Sequence, residues 1–360
     1  MMKDIMQHVQ WRLGSVAIAM LLAAGTAIAE VPVYKVTELL VGPKGDSTLY
    51  SIGRAINKSG QTAIEFGYTF GAGFAAARCN KASCSLVPEL QTLGASATTP
   101  WGINDMSVVT GSSLAGAATH AFLFDGATTQ DLGGFPEDGC GGCSLDSHGR
   151  DINNLGQVTG RAATMSGAVH AFLKQGTAML DLGTLGGDHS EGIAVNDKGD
   201  VVGMAHLPGG EQRAFLYRNG VMSNLGTLGG SQSAAVAIND SRQVAGCSTL
   251  AGDAVRQAFV YSQGVMQALP SLGGDDSCAL GINRNGWVVG YSTPIGGTDR
   301  RAVVHDGLQL VDLNTRLDPK TGKNWVMLEA RAINDSGLII GTGQHKGTTR
   351  AFLLTPVAAQ

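Results

Sequence analysis

Short runs of alternating apolar and polar residues, split by glycine-bearing turns, fill the chain from about residue 33 onward, and the arrangement repeats. An apolar residue followed by Asn recurs at Ile56-Asn57, Ile103-Asn104, Ile152-Asn153, Val195-Asn196, Ile238-Asn239, Ile282-Asn283 and Ile333-Asn334. Successive Asn residues stand 47, 49, 43, 43, 44 and 51 positions apart. Self-similarity at a near-fixed period decides a fold before local propensity does, because each copy is one supersecondary unit. Gly stands three residues after the Asn at Gly60, Gly156, Gly199, Gly286 and Gly337. Asn bonds its own backbone two residues on, and Gly supplies the positive φ that follows a type I turn. The spacing therefore predicts a hairpin turn with a glycine bulge. A second Gly, seven residues after the Asn, recurs at Gly111, Gly160, Gly203, Gly246, Gly290 and Gly341. Between the two lie Val201-Val202, Val288-Val289 and Ile339-Ile340, β-branched pairs that suit a strand.

The second half of each unit reads as another hairpin. Its first strand is His120-Ala-Phe-Leu-Phe124, His170-Ala-Phe-Leu173, Arg213-Ala-Phe-Leu-Tyr217, Gln257-Ala-Phe-Val-Tyr261, Arg301-Ala-Val-Val304 or Arg350-Ala-Phe-Leu-Leu354. A Gly-bearing turn follows, then a strand such as Met179-Leu-Asp-Leu182, which runs into Leu182-Gly-Thr-Leu-Gly-Gly187. Each unit thus holds four short strands, a to d, with strand a ending at the Asn. No stretch sustains helical spacing over four turns, so the class is all-β. Four antiparallel strands per unit of this length is the spacing of β-propeller blades. The last unit stops after strand c (Arg350 to Leu354), while Val33 to Leu40 reads as a lone d strand ahead of the first strand a. We therefore expect a seven-bladed β-propeller whose N-terminal strand completes the last blade. The alternative is a β-solenoid or open β superhelix, whose two terminal faces would need caps. Strand a is poor in bulk (Ala234-Ala235, Ala279, Gly281, Ala332), as the innermost strands of converging blades require. Asp318 to Asn324, which lengthens the sixth interval, reads as an exposed loop.

The His-Ala-Phe core, the Leu-Gly-Thr-Leu-Gly-Gly linker and the Ile-Asn-Asp-x-Gly turn resemble the HAF-repeat family of predicted extracellular bacterial proteins. The likeness covers nearly all of the chain beyond residue 29 and is sharpest from Gly160 to Gly290. It implies export and a repeat fold, and brings no catalytic residues to carry over.

The first 29 residues read as a signal peptide. Lys3 and Arg12 make a weakly basic start, Leu13 to Ala29 carries no charge, and the run ends in Ala27-Ile28-Ala29. A charged start, an apolar stretch and a small-x-small exit mark a secretory leader. Gly14, Ser15, Gly25 and Thr26 interrupt the stretch, which falls short of the ~20 apolar residues of a membrane anchor. We expect residues 30–360 to be a single propeller domain, extracellular or periplasmic. Losing two of 25 basic and one of 29 acidic residues leaves a formal charge of −5. That mild acidity offers no footprint for nucleic acid or for an anionic membrane. The 52 glycines alongside 43% hydrophobic residues argue for many tight turns, not disorder.

All six cysteines follow the leader, which fits an oxidising compartment. Cys79 and Cys84 flank the c–d turn of the first unit, Cys140 and Cys143 form a Cys-Gly-Gly-Cys loop, and Cys247 and Cys278 sit on strands b and a of neighbouring units. Those three pairs are the disulfide candidates among 15 pairings. The thioredoxin-like context that would make Cys140-x-x-Cys143 a redox pair is missing, as is a second pair at zinc spacing.

Chemistry must lie where units depart from the repeat. His120 and His170 share their slot with Arg213, Gln257, Arg301 and Arg350, a mixture no catalytic role tolerates. The seven Asn residues are explained as turn formers. The d-to-a linkers carry Glu137-Asp138, Asp188-His189 and Asp275-Asp276, candidate binding residues whose carboxylates, if they converge, suit Ca²⁺ or a polar ligand; solvated loop tips are the plainer reading. No Gly-x-Ser-x-Gly elbow, His-Glu-x-x-His or Walker-type loop is present, and no cofactor other than Ca²⁺ is suggested. The sequence thus reads as a monomeric, non-catalytic binding module for an extracellular glycan, peptide or surface protein. The alternative is a secreted hydrolase or lyase acting at the tunnel mouth. A strongly perturbed carboxylate in a central pocket would favour the enzyme.

Overall fold

The computed structural model describes residues 30–40, 48–68, 74–81, 83–86, 97–115, 118–135 and 146–357. The candidate leader 1–29, Glu137, Asp138, Cys140 and Cys143 lie outside the described residues. From Pro32 onward the chain is one compact unit, and it is all-β. Sets of four antiparallel strands follow one another over 48–86, 98–133, 147–181, 190–224, 229–268 and 273–312, each in the order a-b-c-d, the last two joined by a single parallel bridge between Arg256 and Asp276. Residues 325–356 supply strands a, b and c of a further sheet. Beside its strand c, Thr348–Pro356, lies the strand Tyr34–Leu39, antiparallel, with Tyr34 opposite Pro356 and Leu39 opposite Ala351. Among the described residues no helix is long and apolar enough to cross a membrane.

The a–b turn has the geometry its residues predict. Asn153 N–H donates to Gln157 O at 3.1 Å, Gly156 N–H donates back to Asn153 O at 3.1 Å, and Gly156 has φ 75°. In the two units lacking that glycine, Ser107 (φ 65°) and Arg242 (φ 63°) take the left-handed conformation themselves, against the steric preference of a residue with a Cβ.

The second recurrent glycine has a packing cause that the sequence does not display. Gly160 pairs with Phe172 across strands b and c, and a Cβ there would run into the carbonyl oxygen of His148 and the Phe172 ring. Gly203 stands in the same way between Glu191 O and Phe215, and Gly341 between Glu329 O and Phe352. The glycine is the floor on which each strand-c Phe lies flat. Phe122, Phe172, Phe215, Phe259 and Phe352 are fully buried, each stabilising the fold by about 2–3 kcal/mol.

The core is divided among the interfaces between successive sheets. Phe215 and Val201 of the fourth sheet pack on Ala171 and Leu173 of the third. Phe259 and Val244 of the fifth pack on Val202 and Ala214 of the fourth. Leu39, Ile340, Ala351 and Leu353 pack on Ile64 and Phe66 of the first sheet. The backbone stitches the same neighbours, because the Ala of the His-Ala-Phe run donates to a Ser opening the next strand a. Ala171 N–H reaches Ser190 Oγ at 2.8 Å, and Ala351 N–H reaches Ser51 Oγ at 2.9 Å.

Residues 318–324 form the loop the sequence suggests, with Pro319, Lys320, Lys323 and Asn324 exposed, and the loop is also anchored to the N-terminal strand. Asp318 N–H donates to Tyr34 O at 2.8 Å, and Val36 N–H donates to Thr321 Oγ1 at 3.0 Å. The insertion thus covers the outer edge of Tyr34–Leu39, an edge that would otherwise present unpaired backbone groups. Two expected disulfides are formed, Cys79–Cys84 within the first sheet and Cys247–Cys278 between the fifth and sixth.

Candidate functional site: the axial channel

Strand a of every sheet ends at its Asn, and the Asn does more than shape its turn. Asn153 Oδ1 accepts from Leu155 N–H (3.1 Å) and Gln157 N–H (2.9 Å), while its Nδ2 donates to the backbone carbonyl of Asn196 in the next sheet at 2.8 Å. The same donation runs from Asn57 to Asn104, Asn104 to Asn153, Asn196 to Asn239, Asn239 to Asn283 and Asn283 to Asn334, and from Asn334 to Asn57 at 3.1 Å. One position further, Lys58 N–H donates to Asp105 Oδ1, Asp105 N–H to Asn154 Oδ1, Asn154 N–H to Asp197 Oδ1 and Asp197 N–H to Asp240 Oδ1. A cavity of about 210 Å³ lies within these circuits. Its asparagines are committed to holding sheets together, so this end is structural.

The other end of the channel differs. Each strand a slips register against strand b at one equivalent point, between Gly53 and Ala55, Pro100 and Gly102, Gly149 and Asp151, Gly192 and Ala194, Ala235 and Ala237, Ala279 and Gly281, and Ala330 and Ala332. A bulge of this kind leaves one residue unpaired and re-aims its side chain. The residues so displaced are Arg54, Trp101, Arg150, Ile193, Val236, Leu280 and Arg331, and all of them line one cavity of about 330 Å³. Ile56, Ile103, Ile238, Ile282 and Ile333 border both cavities and form an apolar constriction between them.

This ring has two unlike halves. Arg331, Arg54, Trp101 and Arg150 come from four consecutive sheets, counting the last as neighbour to the first; Ile193, Val236 and Leu280 come from the other three. Arg54 and Arg150, from the sheets on either side, hold their Cζ atoms 4.1 and 4.2 Å from the Trp101 ring centre, a cation–π contact made twice on one indole. Carboxylates back the cations. Glu65 accepts from Arg54 at 2.6 Å, Glu191 from Arg150 at 2.5 Å, and Glu329 from Arg331 at 2.7 Å and Arg300 at 2.5 Å. Burial pulls the Arg331 guanidinium below the ordinary arginine range, and Arg54 and Arg300 add like-charge repulsion against the pull of Glu329. Asp151 fills a slot that is Ala or Gly in the other six strands. Burial pushes its carboxyl up to about 7, although it accepts from Val195 N–H (3.0 Å) and Ile152 N–H (2.9 Å).

The linker residues singled out from sequence sit apart from this ring. Asp188 is solvent-exposed, with a carboxylate oxygen 3.5 Å from His206 Nδ1; His189 stands with its ring 5.1 Å from that of His206. Burial draws the His189 imidazole below its usual range. Asp275 is exposed. Asp276 is held by Arg256 at 2.7 Å and approached by Arg300 at 3.6 Å. None of these four lines the channel cavities, and among the described residues no group of three His, Cys, Asp or Glu is poised to hold a metal. Arg300 does connect Asp276 to the channel, since it bridges that acid to Glu329 and hence to Arg331. The sequence signal for the bulge ring was present though unread: one large residue framed by small ones, three positions before each Asn.

No protein-family model matches the chain, and no curated protein sequence matches it. Among solved structures, the chain is similar to YCF48 bound to D1 peptide, with 13% identity, TM-score 0.48, and 92% of this chain and 98% of that one covered. It is also similar to TolB from Acinetobacter baumannii, with 12% identity, TM-score 0.42, and 84% and 78% covered. A third is the SapL1 lectin in complex with alpha methyl fucoside, with 11% identity, TM-score 0.36, and 83% and 90% covered.

Proposed function

We propose that the seven sheets are the blades of one β-propeller closed by its N-terminal strand, in an exported protein of the HAF-repeat kind that works as a non-catalytic binding module. Its partner is a glycan, peptide or surface molecule that inserts a group into the channel. The observation that carries this reading is the bulge ring. Seven equivalent backbone positions, each built the same way, present seven side chains of varied chemistry to one enclosed space. A repeated scaffold that presents varied side chains to one cavity is an arrangement suited to a recognition site. Two disulfides support folding in an oxidising compartment.

A hydrolase or lyase reading has one observation in its favour, the Asp151 carboxyl raised to about 7 beside the channel. General acid–base chemistry needs a second titratable group free to act with it. The carboxylates nearest the ring, Glu65, Glu191 and Glu329, are each tied to arginine, and Asp151 itself accepts two backbone N–H groups.

Arrays of oligosaccharides and peptides, read with the purified chain, test the proposal. Val236→Asp is expected to abolish retention of the best ligand, while Asp188→Ala and Asp275→Ala leave it unchanged. A ligand retained equally by Val236→Asp, or released chemically altered, contradicts the module reading.

A further inference from the structure

We infer that the ring of bulged residues takes an organic carboxylate with an apolar body, the carboxylate on Arg54 and Arg331 and the body against Ile193, Val236 and Leu280. The inference rests on the binding reading above and names its ligand class.

The charge around the ring is unbalanced. The guanidinium groups of Arg54, Arg150, Arg161, Arg300 and Arg331 face the carboxylates of Glu65, Glu191 and Glu329. Asp276, which Arg300 also approaches, is already held by Arg256, and Asp151, which lines the same cavity, is bonded to two backbone N–H groups with its carboxyl raised by burial. Two of those cations carry a second mark. Arg54 Nε and Arg331 Nε are both buried and, among the described residues, neither has a hydrogen-bond partner. Buried donors are seldom left unpaired without reason, and these two belong to like-charged groups on adjoining sheets that line the same cavity. An oxyanion seated beside these guanidinium groups relieves the repulsion between them, and a small turn of either side chain brings its unpaired Nε–H to the ligand. Planar, forked guanidinium groups match a carboxylate in two-point contact.

The rest of the ring decides what carries the carboxylate. Across the channel stand only aliphatic side chains, Ile193, Val236 and Leu280, above the isoleucine constriction. A hydrated inorganic anion gains nothing there, whereas a branched or aromatic body does. A sugar fits less well. Saccharide rings use open aromatic faces and convergent polar groups, and Trp101 is covered by Arg54 and Arg150 from both neighbouring sheets. The volume of about 330 Å³ admits a small acid or one terminal residue, not a chain.

Titration calorimetry on the purified chain tests this with 4-methylpentanoate, its neutral amide, acetate, sulfate and galacturonate. The branched acid is expected to bind at least about tenfold more tightly than its amide and than acetate, because each lacks one half of the contact. Arg331→Met is expected to remove at least about tenfold of that affinity. Leu280→Ala is expected to weaken the branched acid while leaving acetate unchanged. Circular dichroism establishes that each variant is folded; should Arg331→Met fail to fold, Arg331→Lys and Leu280→Ala carry the comparison. A peptide ending in Leu, run beside 4-methylpentanoate, separates a polypeptide terminus from a free acid. Sulfate or acetate binding as tightly as the branched acid overturns the apolar half. Galacturonate binding best, and lost in Leu280→Ala, overturns the ligand class while leaving the channel a binding site. No heat with any carboxylate overturns the inference outright.

Discussion

Replacing Asn196 probes the circuit that joins the sheets. Its side chain is buried and makes four hydrogen bonds. Nδ2 donates to Asn239 O at 3.3 Å and to Asp200 Oδ2 at 3.1 Å, and Oδ1 accepts from Lys198 N–H at 3.0 Å and Asp200 N–H at 2.9 Å. At a net ~0.5–1.5 kcal/mol each, with buried partners left unsatisfied, Asn196→Ala costs about 3–4 kcal/mol. Asn196→Asp separates local from cross-sheet bonds. It keeps both acceptor bonds of the turn, loses both donors, and sets a second carboxylate against Asp200 and the Asn239 carbonyl. Its penalty should therefore grow as pH rises and the new acid ionises. Urea unfolding followed by far-UV circular dichroism measures both, at pH 5 and pH 8. An Asn196→Ala loss below about 1 kcal/mol, the worth of a single bond, refutes the argument, as does an Asn196→Asp variant as stable as the parent at pH 8.

Three other outcomes follow from the same geometry. The Asp151 carboxyl is raised to about 7 in the fold from an ordinary 3.8, so its favourable protonated state is fully available below about pH 4 and lost as pH climbs through 7. By linkage this costs up to about 4 kcal/mol at pH 8, and Asp151→Ala should flatten that part of the stability–pH curve; an unchanged slope tells against a buried acid. Arg150→Met removes the close partner of Glu191, whose side chain is 2% exposed, and leaves it only Arg161 at 3.9 Å; it should destabilise by about 3 kcal/mol, the low end for a broken buried pair because Arg150 itself is partly exposed and Arg161 remains. Glu191→Gln in the same chain should recover most of it, and failure to recover points to lost packing instead. Gly156→Ala, at φ 75° with open space around the new Cβ, should cost about 1–2 kcal/mol from backbone strain alone; thermal melts unchanged by the substitution mean the turn is not as described.

Much of the fold was legible because turn chemistry is local. Asn153 and Gly156 specify their hairpin locally, and the Asn recurs at seven such turns, with the glycine at five of them. The two observed disulfides were legible for a similar reason, since placing Cys247 and Cys278 on strands b and a of adjoining units brings them together. The outward donation of each Asn Nδ2 was not, because it depends on where the neighbouring sheet stands. The site was missed for a related cause. Strand patterning assumes strict alternation, and a bulge breaks it, so Arg54, Arg150 and Arg331 read as ordinary strand residues until the register shift turns them into the channel. The linker acids Asp188, Asp275 and Asp276 drew notice by charge, yet Asp275 and Asp276 share one strand of the sixth sheet while Asp188 stands at the entry to the fourth, with different surroundings. The anchoring of the 318–324 loop was not legible because the strand it covers, Tyr34–Leu39, lies almost 300 positions earlier in the chain.

The proposed closure of the sheets into one ring is tested most directly by a cross-link between the two end strands. Lys35 and Thr355 face each other across Tyr34–Leu39 and Thr348–Pro356. In a chain carrying Lys35→Cys and Thr355→Cys, we expect one new disulfide within a single molecule, seen by peptide mass mapping after digestion without reductant, together with a raised melting temperature. Two thiols that stay reactive to alkylation under oxidising conditions, or that pair only between molecules, contradict the closure.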